Sequence, residues 1–227
     1  MGEWLQRAGA GIVAASLLVA PSVFAVEKGD WLVRAGAVWV NPDDDDARVT
    51  PLGLKGAEVD DAWSVGYTIS YLFTDNFALS LLGVIPGALN HDIKANKQLK
   101  GVLGSSDIGD TDVFPPTLTA QWHFLPKNKF RPYVGVGVNY TNFSDEDASS
   151  SFESVAGKTN IDIDDSWGLA GEVGLDVDLT DRFFVNASLW YIDLNADAKL
   201  KTANLGRQKV DIDINPFVLL LAAGYRF

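Results

Sequence analysis

Strict alternation of apolar with small or polar residues, sustained over ten or more positions, leaves this chain few folds to choose from. Across residues 61–73 the odd positions include Trp63, Val65, Tyr67, Ile69, Tyr71 and Phe73, and the even ones Ala62, Ser64, Gly66, Thr68 and Ser70. A period of two puts successive side chains on opposite faces of a β-strand. The pattern recurs. Trp31, Val33, Ala35, Ala37 and Trp39 oppose Arg34 and Gly36, and Phe114, Leu118, Ala120, Trp122 and Phe124 oppose Thr117, Thr119, Gln121 and His123. Similar runs centre on residues 134–141, 166–177, 183–191 and 217–227, and with residues 77–86 they make eight strands.

The connections differ in length. Residues 74–76, 125–130 and 180–181 are short turns, whereas 41–57, 91–110, 143–160 and 195–208 are long and polar. An even strand count with short turns on one rim and long loops on the other is the design of an outer-membrane barrel, with both chain ends on the periplasmic side. We therefore expect an all-β fold: an eight-stranded antiparallel transmembrane β-barrel with four long extracellular loops. A soluble lipocalin-like barrel is the competing reading. It would turn its apolar face inward and would not carry Trp and Tyr at strand ends.

Residues 1–25 read as a secretory signal, leaving 26–227 as the barrel. Arg7 supplies the positive charge, residues 8–20 the apolar run and Val23-Phe24-Ala25 the cleavage site. The run is shorter than the roughly 20 residues a membrane helix needs. The chain has no cysteine, which removes disulfides, thiolate metal sites and cysteine nucleophiles. A net charge of −12 argues against nucleic acid as a partner.

A barrel of eight strands leaves room inside for side chains but not for a water column. Arg34, Glu172, Asp176 and Arg226 fall on the inner face of the periplasmic half, where they are expected to pair as an interior charged plug. Towards the loops the inner face turns apolar. Inward parity gives Leu82, Val84 and Pro86 on the third strand and Trp190, Ile192 and Leu194 on the seventh. On the eighth it gives Val210, Ile212 and Ile214, unless a bulge at Pro216 returns them to the lipid face. An apolar outer bore suits a greasy ligand; ordinary packing of a narrow barrel is the alternative. Pro86, and Pro115 with Pro116, stand at similar height on adjacent strands. Proline cannot donate to the ladder, so strands three and four are expected to stop pairing partway up and leave an opening in the wall.

Several segments resemble the OmpW family of outer-membrane proteins, whose members include OprG-like and AlkL-like proteins. They include Gly29-Asp30-Trp31-Leu32-Val33-Arg34-Ala35-Gly36, Phe114-Pro115-Pro116-Thr117-Leu118, Asp165-Ser166-Trp167-Gly168, Leu189-Trp190-Tyr191-Ile192-Asp193 and the terminal Ala223-Gly224-Tyr225-Arg226-Phe227. The resemblance spans the mature chain. It implies an apolar extracellular funnel (Val84, Ile192, Leu194, Ile212, Ile214) and a channel constriction at Leu82 and Trp190. It also implies a blocked periplasmic side, and passive uptake of small hydrophobic solutes with lateral exit at Pro86. Outer-membrane lipid and lipopolysaccharide are the surroundings it implies, and Phe227 resembles the family's signal to the barrel-assembly machinery. Ile85-Pro86-Gly87 and Asn215-Pro216-Phe217 depart from the family's usual residues along that path.

Other motifs carry less. The run Asp43-Asp44-Asp45-Asp46 reads as a solvated loop, and His91 and His123 lack partners for a zinc site. No phosphate loop or nucleophile elbow is present, and neither histidine has a serine and acid beside it, so no enzymatic site and no cofactor are expected. A surface adhesin or structural protein acting through its long loops is the alternative function.

Overall fold

The structure is a computed structural model that describes residues 25–43, 48–50, 54–55, 57–85, 87–95, 100–101, 106–204 and 206–227. Residues 1–24 of the expected signal, Asp44, Asp45, Asp46 and Pro86 lie outside the described residues, as does the side chain of Ile212. In chain order the strands are β1 (Trp31–Asn41), β2 (Arg48–Thr50), β3 (Leu54–Lys55), β4 (Ala57–Val59), β5 (Ala62–Leu72), β6 (Phe77–Val84), β7 (Asn90–Ala95), β8 (Asp107–Phe114), β9 (Thr117–His123) and β10 (Phe130–Ala148). After helix α1 (Ser150–Ala156) come β11 (Thr159–Ile163), β12 (Ser166–Asp178), β13 (Phe183–Ile192), β14 (Asn195–Thr202), β15 (Gly206–Asp213) and β16 (Phe217–Arg226).

Eight strands close the barrel. Round the wall they run β1, β5, β6, β9, β10, β12, β13 and β16, and β16 returns to β1. Every neighbouring pair is antiparallel, from Leu32↔Arg226 to Asn41↔Phe217 at the closing seam. Alternation sets which residues face in: on β13 every second side chain, Phe184 to Ile192, is buried and the rest are exposed. Val136 is 71% exposed on the outer face while Arg34 is fully buried on the inner one. That distribution excludes the inward-apolar soluble barrel.

Aromatic pairs ring the outer face at two heights. Trp31–Tyr71, Tyr71–Phe73 and Phe183–Tyr225 mark the short-turn side, and Trp39–Trp63, Tyr140–Trp167 and Tyr191–Phe217 the other. Trp31 and Trp39 are about 27 Å apart along β1, or roughly 20 Å along the membrane normal after strand tilt, close to the apolar band of such barrels. Two of the three short turns share one sequence, Thr-Asp-X-Phe. In each the threonine hydroxyl accepts the phenylalanine N–H, Phe77 to Thr74 and Phe183 to Thr180, both at 2.9 Å.

The extracellular connections hold more regular structure than their polarity suggests. β8, β7 and β4 continue the wall from the upper part of β10, and β11, β14, β15, β2 and β3 form a second sheet. Their strands alternate too: His91, Ile93 and Ala95 are buried on β7 while Asn90 and Asp92 are exposed. Acidic residues occupy the outer face where lipid-facing strands carry apolar ones. Phe114, which sequence alternation assigns to the lipid side of the fourth strand, ends β8 instead and packs on the interior apolar cluster.

Candidate functional site

The periplasmic half of the bore is filled. Arg34 donates through Nε and Nη2 to both oxygens of Asp176, at 3.0 and 2.7 Å, and through Nη1 to Ser70 Oγ at 2.8 Å. Arg131 pairs with Asp178 and stands 3.7 Å from Asp176. Glu172 accepts from Thr119 Oγ1 at 2.8 Å and from Gln121 Nε2 at 2.9 Å. The guanidinium of Arg34 lies over Tyr133 and Phe184, and His123 stacks on Tyr133. Tyr133 fits because the residue across from it on β12 is Gly174; a Cβ there would lie 2.2 Å from the ring. Beneath this layer Val26, Leu32, Leu72, Ala78 and Phe184 form an apolar base, with Val26 N–H bonded to Pro126 O at 2.8 Å.

Three of the four expected plug residues, Arg34, Glu172 and Asp176, are in this layer. Arg226 is not. It has inward parity but sits at the rim opposite Leu32, partly exposed, and donates to the carbonyls of Ala25 and Asp181. Its position at the end of β16 puts water within reach, so no buried carboxylate is needed. Arg131 and Asp178 take the place assigned to it. The alternation that turns Val134, Val136 and Val138 outward on β10 turns Gly135 and Asn139 inward, and the same parity further down the strand gives Tyr133 and Arg131.

Above the layer lies an apolar cavity. Of the residues assigned to the funnel, Val84, Ile192, Leu194 and Ile214 border it, and so does Leu82, assigned to the constriction. Ile212 is in β15 opposite Ala196. The bulge considered at Pro216 does not reverse parity: Val210, Ile214, Pro216 and Val218 are all buried. Asn215, at φ 37°, takes up the bend, and its Oδ1 accepts the Leu194 N–H at 3.1 Å. Trp190 is buried with the same cluster but does not border the cavity. Leu82 lines the chamber, and Trp190 belongs to the packing beneath it.

The wall beside the cavity is incomplete on one edge. The last pair between β6 and β9 is Leu82↔Thr117, and pairing resumes at Asn90↔Asp112 between β7 and β8, with Val113 N–H on Leu89 O at 2.9 Å. Among the described residues no ladder bond joins residues 83–88 to 114–116. Val84, Leu89 and Pro115 border both the break and the cavity. The other side of the junction is closed. β10 pairs with β9 up to Asn139↔Thr117 and with β8 from Asn142↔Phe114, and Tyr140 N–H bonds Pro116 O at 3.0 Å between them. Pro115 and Pro116 form the β8–β9 junction, whose carbonyls still accept from β10.

The model of the OmpW family matches residues 27–227. Outer membrane protein W of Vibrio cholerae serotype O1 is 39% identical over 96% of this chain and 97% of its own length. Outer membrane protein AlkL of Ectopseudomonas oleovorans is 30% identical, over 88% of this chain and 83% of its own. The crystal structure of the outer membrane protein OprG from Pseudomonas aeruginosa superposes with a TM-score of 0.81 at 32% identity, covering 90% of this chain and 99% of that one.

Proposed function

The chain belongs to the OmpW family of Gram-negative outer-membrane proteins, and from that premise we propose that it is a passive channel for small hydrophobic molecules. They enter through the apolar outer cavity and leave sideways into the membrane. The observation that carries this reading is the position of the cavity: it abuts the break between Leu82↔Thr117 and Asn90↔Asp112 on one side, with the charged floor further down the bore. A solute moving down meets Arg34, Asp176 and Glu172, whose desolvation and separation cost several kcal/mol. Moving sideways it meets proline and apolar side chains with few bonds to break. The sideways barrier is the lower one.

The test is uptake of radiolabelled hydrophobic solutes by cells with and without the protein. Faster entry with it supports the channel. Equal entry would overturn it and favour the loop-mediated surface role.

A further inference from the structure

Three polar side chains interrupt the apolar lining of the cavity: His91 on β7, Thr111 beside it on β8, and Thr141 on β10. Each hydrogen they own is already spent. His91 Nδ1 lies 2.9 Å from Asp60 O. A carbonyl only accepts, so Nδ1 carries the proton and Nε2 of the neutral ring is left as an acceptor. Burial holds this imidazole below the ordinary histidine value, which keeps it neutral at pH 7. Thr111 Oγ1 donates to Ser144 O at 3.3 Å, and Thr141 Oγ1 to Asn139 Oδ1 at 2.7 Å, leaving lone pairs on both oxygens. Among the described residues the one orphan donor nearby, Trp190 Nε1, is fully buried out of reach. The described side chains facing the cavity therefore offer acceptors only.

We propose that the cavity prefers hydrophobic molecules bearing one neutral hydrogen-bond donor, a hydroxyl, seated on His91 Nε2 and Thr111; this rests on the channel reading and narrows its substrate class. A saturated hydrocarbon fits the walls but leaves the acceptors unmet. An ether or ketone sets acceptor against acceptor. A carboxylate is repelled by the same lone pairs and by Asp60, Asp61 and Asp92 around His91, and an ammonium loses its hydration on entering apolar walls. An alcohol or phenol avoids all of these costs. Thr141 lies about 13 Å further in, level with Pro115, and offers the hydroxyl a second acceptor beside the break in the wall.

The isomers 1-octanol and heptyl methyl ether differ in this respect alone. The chain has two histidines, so ¹⁵N-histidine labelling of the full barrel in lipid nanodiscs gives His91 and, in the charged floor, His123 as an internal reference. We expect 1-octanol to move the His91 Nε2 resonance and leave His123 in place, and to bind about fivefold more tightly than the ether, the factor for one net hydrogen bond. His91→Phe should abolish the preference, and His91→Gln, which keeps an acceptor, should retain much of it. Equal binding of the two isomers, or a preference that survives His91→Phe in a barrel of native circular dichroism, overturns the proposal. Uptake of octane into vesicles tests the channel separately. Octane entry without alcohol preference sinks only this inference, whereas alcohol binding without any uptake supports it and sinks the channel.

Discussion

Trp190 stands directly opposite Glu172 in the β12–β13 ladder, both side chains turned into the bore. One residue belongs to the apolar cluster and the other to the charged floor, so the boundary between the two halves of the lumen runs between adjacent strands at a single height.

Trp190→Ala should open that boundary. Loss of a fully buried indole costs about 3–5 kcal/mol where the surroundings do not collapse, and Glu172 then faces the chamber. Single-channel recordings in planar bilayers should show higher cation conductance from a barrel that still assembles.

The floor should respond asymmetrically to substitution. Arg34→Met leaves Asp176 with Arg131 at 3.7 Å and Asn186 at 2.8 Å, and removing one partner of a buried pair costs about 3–5 kcal/mol. Joint replacement by Arg34→Met and Asp176→Leu should recover much of that. Reversible urea unfolding in lipid vesicles measures both; equal losses in the single and double variants would contradict the pairing.

At the break in the wall, Pro115→Ala returns an amide donor to the β8–β9 junction. If that donor completes one more ladder bond, worth about 1 kcal/mol, hydrophobic uptake should fall about fivefold with the amount of folded barrel unchanged. Unaltered uptake would count against sideways exit.

Burial lowers the affinity of His91 for a proton relative to the unfolded chain, opposed by the Asp60 carbonyl and the charges of Asp61, Asp92 and Asp60. The folded form is therefore favoured above the unfolded histidine value, about 6.5, and loses that advantage as pH falls from there through the lower folded value. Protonation also turns Nε2 into a donor. Affinity for 1-octanol should be weaker at pH 5 than at pH 8 in the native chain and independent of pH in His91→Phe, as read by nanodisc titration.

We further propose that residues 1–25 are removed on export. The mature chain then starts at Val26, whose nitrogen already lies 2.8 Å from Pro126 O. Amino-terminal sequencing of protein from the outer membrane should begin Val26-Glu27-Lys28; a chain retaining Met1 would refute the cleavage.

Alternation carried the barrel because lipid demands it: each outward position on β1, β5 or β13 must be apolar, and a slip of one residue exposes the wrong face. The same logic located Arg34, Glu172 and Asp176, since a charge of that parity has nowhere else to go. It was silent on β7, β8, β14 and β15, whose outer faces meet water and accept Asp92, Asp110 or Asp197 as readily as leucine. For His91 the sequence offers neither zinc partners nor a serine and acid beside it. Its carbonyl partner, Asp60 O, comes from the backbone, which no side-chain pattern reveals. Trp190 and Leu82 share inward parity, but parity does not give depth, and they differ in whether they touch the cavity.

The seam between β1 and β16 joins residues nearly two hundred positions apart, ending in reciprocal bonds between Trp31 and Phe227 at 3.4 and 3.0 Å. It forms only once β16 is in place, because that strand supplies one whole side of it. Until then two bare edges remain, and hydrocarbon offers their amides nothing to bond to. Sealing of the wall thus waits on β16. A chain shortened before Phe217 loses its only route to a sealed perimeter and has no stable resting place in the bilayer.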